Sequence, residues 1–190
     1  HVALGLSNNT VELWSLGNPP KNQHNPLVHE STILQLDFSA DGTRLLTRTR
    51  SSVRIWDCTI GSGMGPLFED KLNFLAAAIS PDGTTIATAG NKPVVSLWDV
   101  RAPQRSVREL RQAQPTILIR FRPDGRQIVT SEGTTLRRWD LGTGESIGEP
   151  MKHEGTVNSA AYSPNGKWIA SSTLLPVKSS GSKVYLWNAD

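Results

Sequence analysis

Asp57, Asp99 and Asp140 each follow a tryptophan directly. A carboxylate can act as a general acid or base, but a catalytic constellation is built once in a protein. These aspartates come back at one interval along the chain, so they read as caps on a repeated turn. His29 and His153 stand at matching places and read as structural for the same reason. Cys58 is the single cysteine. No neighbouring pattern would activate its thiolate, so it reads as an ordinary small residue. Gly61-Ser-Gly-Met-Gly65 lacks the lysine and the following helix of a phosphate-binding loop. No Gly-x-Ser-x-Gly nucleophile elbow occurs. Four scattered histidines and one cysteine have no zinc-site spacing. The residues point to no enzyme, no metal and no cofactor.

The elements that carry these residues form a repeat. Trp14, Trp56, Trp98, Trp139 and Trp187 lie 42, 42, 41 and 48 residues apart. Asp41-Gly42, Asp82-Gly83, Asp124-Gly125 and Asn165-Gly166 follow one another at 41, 42 and 41 residues. The stretch from Ile79 to Val100 is the clearest copy. Pro81-Asp82-Gly83 is turn chemistry, Thr85 to Ala89 is a β-branched and apolar strand, and Val94 to Trp98 is a second strand. A period near 40 signals stacked supersecondary units, and the strand content narrows these to a propeller-type array.

Ile55-Trp56-Asp57, Leu97-Trp98-Asp99, Arg138-Trp139-Asp140 and Leu186-Trp187-Asn188 resemble the closing dipeptide of WD40 repeats. Phe38-Ser-Ala-Asp-Gly42, Ile79-Ser-Pro-Asp-Gly83, Phe121-Arg-Pro-Asp-Gly125 and Tyr162-Ser-Pro-Asn-Gly166 are similar to the first strand and turn of that family. The resemblance covers essentially the whole chain. It implies an all-β fold: a WD40-type β-propeller of four-stranded antiparallel blades, here a partial ring of four repeats plus part of a fifth. The boundaries it suggests are a partial blade over 1–28 and repeats over 29–69, 70–111, 112–152 and 153–190. Such rings usually have seven blades, so the chain is expected to be a fragment or one part of a larger assembly. The missing blades would come from the same gene or a second chain. An open array would expose apolar blade faces and strand edges.

Several positions depart from the family pattern. A histidine, an aspartate, a strand Ser/Thr and the tryptophan often form a hydrogen-bonded tetrad there. The aspartate's places hold Asn8, Arg50, Lys92, Gly133 and Gly181. The histidine's places hold His29, Asp70, Gln112 and His153. The brace is expected to be weak, with the indole N–H groups finding other partners. Arg138 stands where the other repeats have Leu13, Ile55, Leu97 and Leu186. It either snorkels or pairs locally with a carboxylate such as Glu132, or it lines the central channel and meets a ligand. Arg105 to Gln114 is read as an outer strand, Pro26 to Val28 as another, Gly17 to Asn25 as a loop, Gly61 to Gly65 as a flexible connection, and Leu174 to Lys183 as an enlarged loop.

No run of apolar residues is long enough to span a membrane as a helix, and no leader is visible at His1. A net charge of +3 is too small for the basic stripe of a nucleic-acid site. Function is therefore expected on the surface, inside the cell, in cytoplasm or nucleus. The resemblance implies a binding rim made by the loops before the first strand and between the second and third. Its residues here are Asn8, His29, Glu30, Arg50, Asp70, Lys71, Lys92, Gln112, Glu132, His153 and Glu154. Their mixed signs suit proteins or peptides. The leading expectation is a non-catalytic interaction scaffold. One alternative is the C-terminal sensor propeller of a larger signalling ATPase or kinase, since Gly142 to His153 looks like the linker in such propellers. Two others are a ubiquitin-ligase substrate receptor docking through Trp98, Asp99 and Arg101, and an RNA-associated scaffold.

Overall fold

The computed structural model describes residues 1–69, 73–102, 106–174 and 182–189. Five antiparallel sheets follow one another along the chain. Sheet A holds β1 (Val2–Gly5), β2 (Thr10–Ser15), β3 (Lys21–Asn22) and β4 (Leu27–Val28). Sheet B holds β5 (Gln35–Phe38), β6 (Arg44–Arg48), β7 (Ser52–Asp57) and β8 (Ser62–Glu69). Sheet C holds β9 (Phe74–Ile79), β10 (Thr85–Gly90), β11 (Val94–Asp99) and β12 (Arg108–Arg111). Sheet D holds β13 (Ile119–Phe121), β14 (Gln127–Glu132), β15 (Thr135–Asp140) and β16 (Ser146–Lys152). Sheet E holds β17 (Thr156–Tyr162), β18 (Trp168–Leu174) and β19 (Lys183–Asn188). Sheets B, C and D are four-stranded meanders, with neighbours in sequence paired in space.

Each turn between first and second strands is built by side chains. Asp41 accepts hydrogen bonds from the Ser39 hydroxyl at 2.6 Å and the Thr43 N–H at 3.0 Å. The Ser39 oxygen in turn accepts the Arg44 N–H at 3.0 Å. Asn165 and Ser163 make the same turn in sheet E, at 2.6 Å between side chains. These bonds hold the Asp41 carboxyl down at about 2, chiefly through Ser39. Asp57 and Asp140 likewise cap their turns, accepting N–H groups from Thr59 and Thr143 at 2.8 Å each.

A sheet this size cannot bury two faces alone. Four apolar clusters sit at the four junctions. Val11 and Leu13 of sheet A meet Leu45 and Trp56 of sheet B. Val53 and Ile55 meet Ile79 and Ile86. Val95 and Leu97 meet Ile119, Ile128 and Trp139. Val129 and Leu136 meet Val157 and Ile169. In sheets A to D the residues three and one before the tryptophan thus face the next sheet, and in sheets B to E the residue opposite the tryptophan faces the previous one. Burying each such aliphatic side chain contributes about 1.5–3 kcal/mol.

Arginines add polar ties across the junctions. Arg44 donates to the Gly83 carbonyl, and Arg138 to the Ala189 carbonyl. Glu132 pairs with Arg137, Nε to Oε1 at 3.3 Å. The carboxylate named for Arg138, Glu132, pairs with its neighbour Arg137 instead, and Arg138 reaches a backbone carbonyl beside sheet E. The register explains this: Val129 opposes Arg138 and Thr130 opposes Arg137, so the two guanidinium groups leave opposite faces of β15.

Of Gly61 to Gly65, read as a flexible connection, Gly61 ends the turn and Ser62 to Gly65 begin strand β8. Backbone pairing with β7 needs no side chains, and Gly65 at φ 66° supplies the bulge where the register slips between Val53 and Ile55. Gly148 at φ 63° makes the matching bulge in β16. The loop expected over Gly17 to Asn25 contains β3, which with β4 forms a split outer strand along β2. The outer strand expected within Arg105 to Gln114 is β12. The enlarged loop expected over Leu174 to Lys183 falls mostly on residues 175–181, outside the described residues.

Gly61 also has φ 66°, and a Cβ there would lie 2.4 Å from His24 Cγ. Gly61→Ala is expected to cost about 1–3 kcal/mol from backbone strain and this clash. Thermal unfolding checks it, and His24→Ala in the same chain should return part of the loss.

Candidate functional site

Backbone bonds between hairpins and incoming strands gather the expected rim loops at one end of the sheets. Phe74 N–H donates to the Arg50 carbonyl at 2.8 Å, Gln112 to Pro93 at 2.9 Å, and His153 to Thr134 at 2.8 Å. Glu30, Arg50, Lys92 and Glu154 are exposed there, and Glu154 pairs with Lys183. Asn8 is exposed, and its Oδ1 accepts the Thr10 hydroxyl at 2.7 Å, capping a hairpin. Asp70 and Lys71 lie outside the described residues. Glu132 is buried in its pair with Arg137.

His29, His153 and Gln112 point inward to the tryptophans. His29 Nδ1 is 3.0 Å from the Leu27 carbonyl, which can only accept. That assigns the proton to Nδ1 and makes Nε2 the acceptor for the Thr47 hydroxyl at 2.8 Å. The Thr47 oxygen accepts the Trp56 indole N–H at 2.9 Å. In sheet E, Ser171 Oγ lies 2.8 Å from His153 Nε2 and accepts Trp187 at 2.9 Å. In sheet D, Thr130 accepts Trp139 at 2.9 Å and donates to Gln112 Oε1 at 3.2 Å. In sheet C, Thr88 accepts Trp98 at 2.8 Å. Sheet A has Leu4 at the hydroxyl's place, opposite Glu12, and Trp14 donates to Glu12 Oε2 at 3.0 Å instead. The brace expected to be weak is thus a three-membered chain in sheets B, D and E, with Gln112 in the histidine's place in sheet D. The four hydroxyls were not picked out from the sequence, yet they sit nine, ten or sixteen residues before their tryptophans.

Burial lowers the pKa of His29, helped by Arg54 and opposed by the Leu27 carbonyl. Burial also lowers that of His153, opposed by the Met151 carbonyl. The unfolded chain therefore takes up protons first as pH falls through 6.5. The stability that both neutral imidazoles contribute is full above that value and declines below it. The melting temperature is expected to fall between pH 7.5 and pH 5.5, and a His29→Gln, His153→Gln chain should lose less over that window.

The inner strands meet at a second polar cluster. Gln35, Asp37, Arg48, Arg120 and Asn158 line a cavity of about 250 Å³. Arg48 donates to Gln35 Oε1 and to the Phe74 carbonyl, each at 3.0 Å, and Gln35 Nε2 donates to the Ala77 carbonyl at 2.7 Å. Burial raises the Asp37 pKa, opposed by Arg120. Cys58 is buried, and burial followed by Asp57 pushes its thiol up to about 11, far from a nucleophile's range. Of the residues of the expected ligase docking, Trp98 is half-buried, Arg101 is exposed, and Asp99 Oδ1 accepts the Arg101 N–H at 2.7 Å as a turn cap.

Comparison with known proteins agrees with this architecture. Residues 21–57 and 144–188 match the family described as WD domain, G-beta repeat. The chain is similar to pre-mRNA-processing factor 19 homolog 2 of Arabidopsis thaliana, at 25% identity over 83% of this chain and 27% of that protein. It is similar to pre-mRNA-processing factor 17 of Homo sapiens, at 24% over 92% of this chain and 31% of that protein. It is also similar to a guanine nucleotide-binding protein subunit beta of Dictyostelium discoideum, at 26% over 80% of this chain and 45% of that protein. The chain thus spans less than half the length of these relatives. With a tryptophan in each of five antiparallel sheets and two matched segments, the chain carries WD40 repeats and has the all-β architecture expected of a WD40 propeller.

Proposed function

We propose that this chain is a non-catalytic scaffold that binds other proteins or peptides through its hairpin rim, within a larger propeller. The observation that supports it most is how its polar groups are used. The recurring histidines and aspartates serve braces and turn caps, while Glu30, Arg50, Lys92 and Glu154 stand exposed at one end. Mixed charges on a rigid frame suit protein surfaces, where complementarity sets specificity and association rate. Val184 and Leu186 of sheet E are 77% and 66% exposed. This favours further blades, from the same gene or a second chain, over a free face. Two relatives are named as pre-mRNA-processing factors, which favours a place inside the cell.

The test is affinity purification from the native source with the wild-type chain and a Glu30→Lys, Arg50→Glu, Glu154→Lys chain. A defined set of proteins should be retained by the first and lost by the second, while Lys167→Glu, in the turn at the opposite end, retains them. Identical sets from all three chains would contradict a rim site.

A further inference from the structure

In three sheets the residue two places before the tryptophan lies over the indole. In sheet B it is Arg54, whose guanidinium carbon lies 4.4 Å from the Trp56 ring centre. In sheet D it is Arg137, 5.9 Å from the Trp139 ring. In sheet E it is Tyr185, stacked on Trp187 at 5.8 Å and 14°. In sheet C the same place holds Ser96, which is too short to cover Trp98. A cavity of about 480 Å³ opens there. Phe68 and Phe74 wall it, Phe68 meeting Trp98 edge-on at 5.4 Å, and exposed Lys92 and Glu109 also line it.

We infer that the cavity over Trp98 is a binding site for an arginine side chain of a partner protein, which supplies from outside the cover that Arg54 and Arg137 supply from within. A planar cation on an indole face is attracted by the ring quadrupole, and more strongly where aromatic walls exclude water. The Glu109 carboxylate complements the charge, whereas Lys92 opposes it. The inference deepens the protein-binding function proposed above and names the chemistry of one contact. Cys58, buried and inert, offers nothing comparable, and the inner-strand cavity has Gln35 and Arg48 already bonded across it.

The experiment titrates the 190-residue chain with acetyl-Gly-Arg-Gly-amide and with its citrulline counterpart, equal in shape but uncharged. The readouts are the Trp98 indole NMR signal and calorimetry. The arginine peptide is expected to bind at about millimolar Kd and the citrulline peptide about tenfold more weakly. Lys92→Glu should tighten arginine binding several-fold, and Glu109→Gln should weaken it several-fold. Ser96→Arg should fill the cavity from within, raise the melting temperature and abolish binding. Equal binding of the two peptides, an unmoved Trp98 signal with the arginine peptide, or undiminished binding by a folded Ser96→Arg chain would overturn the inference. None of these results bears on Glu30, Arg50 or Glu154, so the rim experiment stands or falls separately.

Discussion

Thr47→Val is expected to destabilise the chain by about 2–4 kcal/mol, although valine has nearly the threonine shape. The substitution removes one oxygen and leaves two groups without their partner. Trp56 loses the acceptor for a buried N–H, and His29 Nε2 loses its donor. Each orphaned group costs about 1–3 kcal/mol, more than a hydrogen bond contributes net. Thr88→Val in sheet C should also destabilise, since it removes the acceptor of the Trp98 indole N–H, at about 1–3 kcal/mol for that orphaned group. Urea unfolding at pH 7.5 measures both, with an unchanged m-value marking a change of stability rather than of the unfolded state. A loss below about 1 kcal/mol for Thr47→Val would mean that the brace adds nothing to stability.

Leu97→Ala and Leu186→Ala should give opposite outcomes, although both leucines stand one residue before a repeat tryptophan. Leu97 is 4% exposed, between sheets C and D, and Leu186 is 66% exposed. Truncating Leu97 removes buried carbons and leaves a cavity, for a loss of about 2–5 kcal/mol. Truncating Leu186 should change stability by less than about 0.5 kcal/mol in the isolated chain. It should also reduce self-association, because Leu186 and Val184 form an apolar face. Val95 and Val184 make the same contrast three residues before their tryptophans, at 0% and 77% exposure.

The repeat was legible because its turns and tryptophans are chemically distinctive. An Asp-Gly turn and an aromatic strand end survive with no reference to neighbouring sheets. The loops were less legible. Gly61 to Gly65 has loop composition, yet an outer strand is held by backbone pairing with β7 and anchored by Met64 and Phe68, so its glycines reveal only the bulge. The split of β3 and β4 depends on where Pro19, Pro20 and Pro26 interrupt the donors along β2, which a scan for β-branched runs does not register. Glu132, the carboxylate named for Arg138, belongs to Arg137. Strand alternation alone would have placed Arg137 on the tryptophan side and Arg138 toward sheet E. The cavity over Trp98 was also within reach, since Glu12, Arg54, Ser96, Arg137 and Tyr185 form one column of the repeat. It was missed because Ser96 is notable only beside what the other sheets carry. The inner-strand cluster was not legible at all: Gln35, Arg48 and Arg120 come together only once three sheets are stacked.

The account rests on each complete repeat closing over its tryptophan through a strand hydroxyl. Hydrogen exchange of the six indole N–H groups, followed by two-dimensional NMR on the 190-residue chain, tests this most directly. Trp56, Trp98, Trp139 and Trp187 should exchange slowly. Trp14, bonded to half-exposed Glu12, and Trp168, 44% exposed, should exchange fast. Six indoles exchanging at one rate, or Trp14 as protected as Trp56, would contradict it.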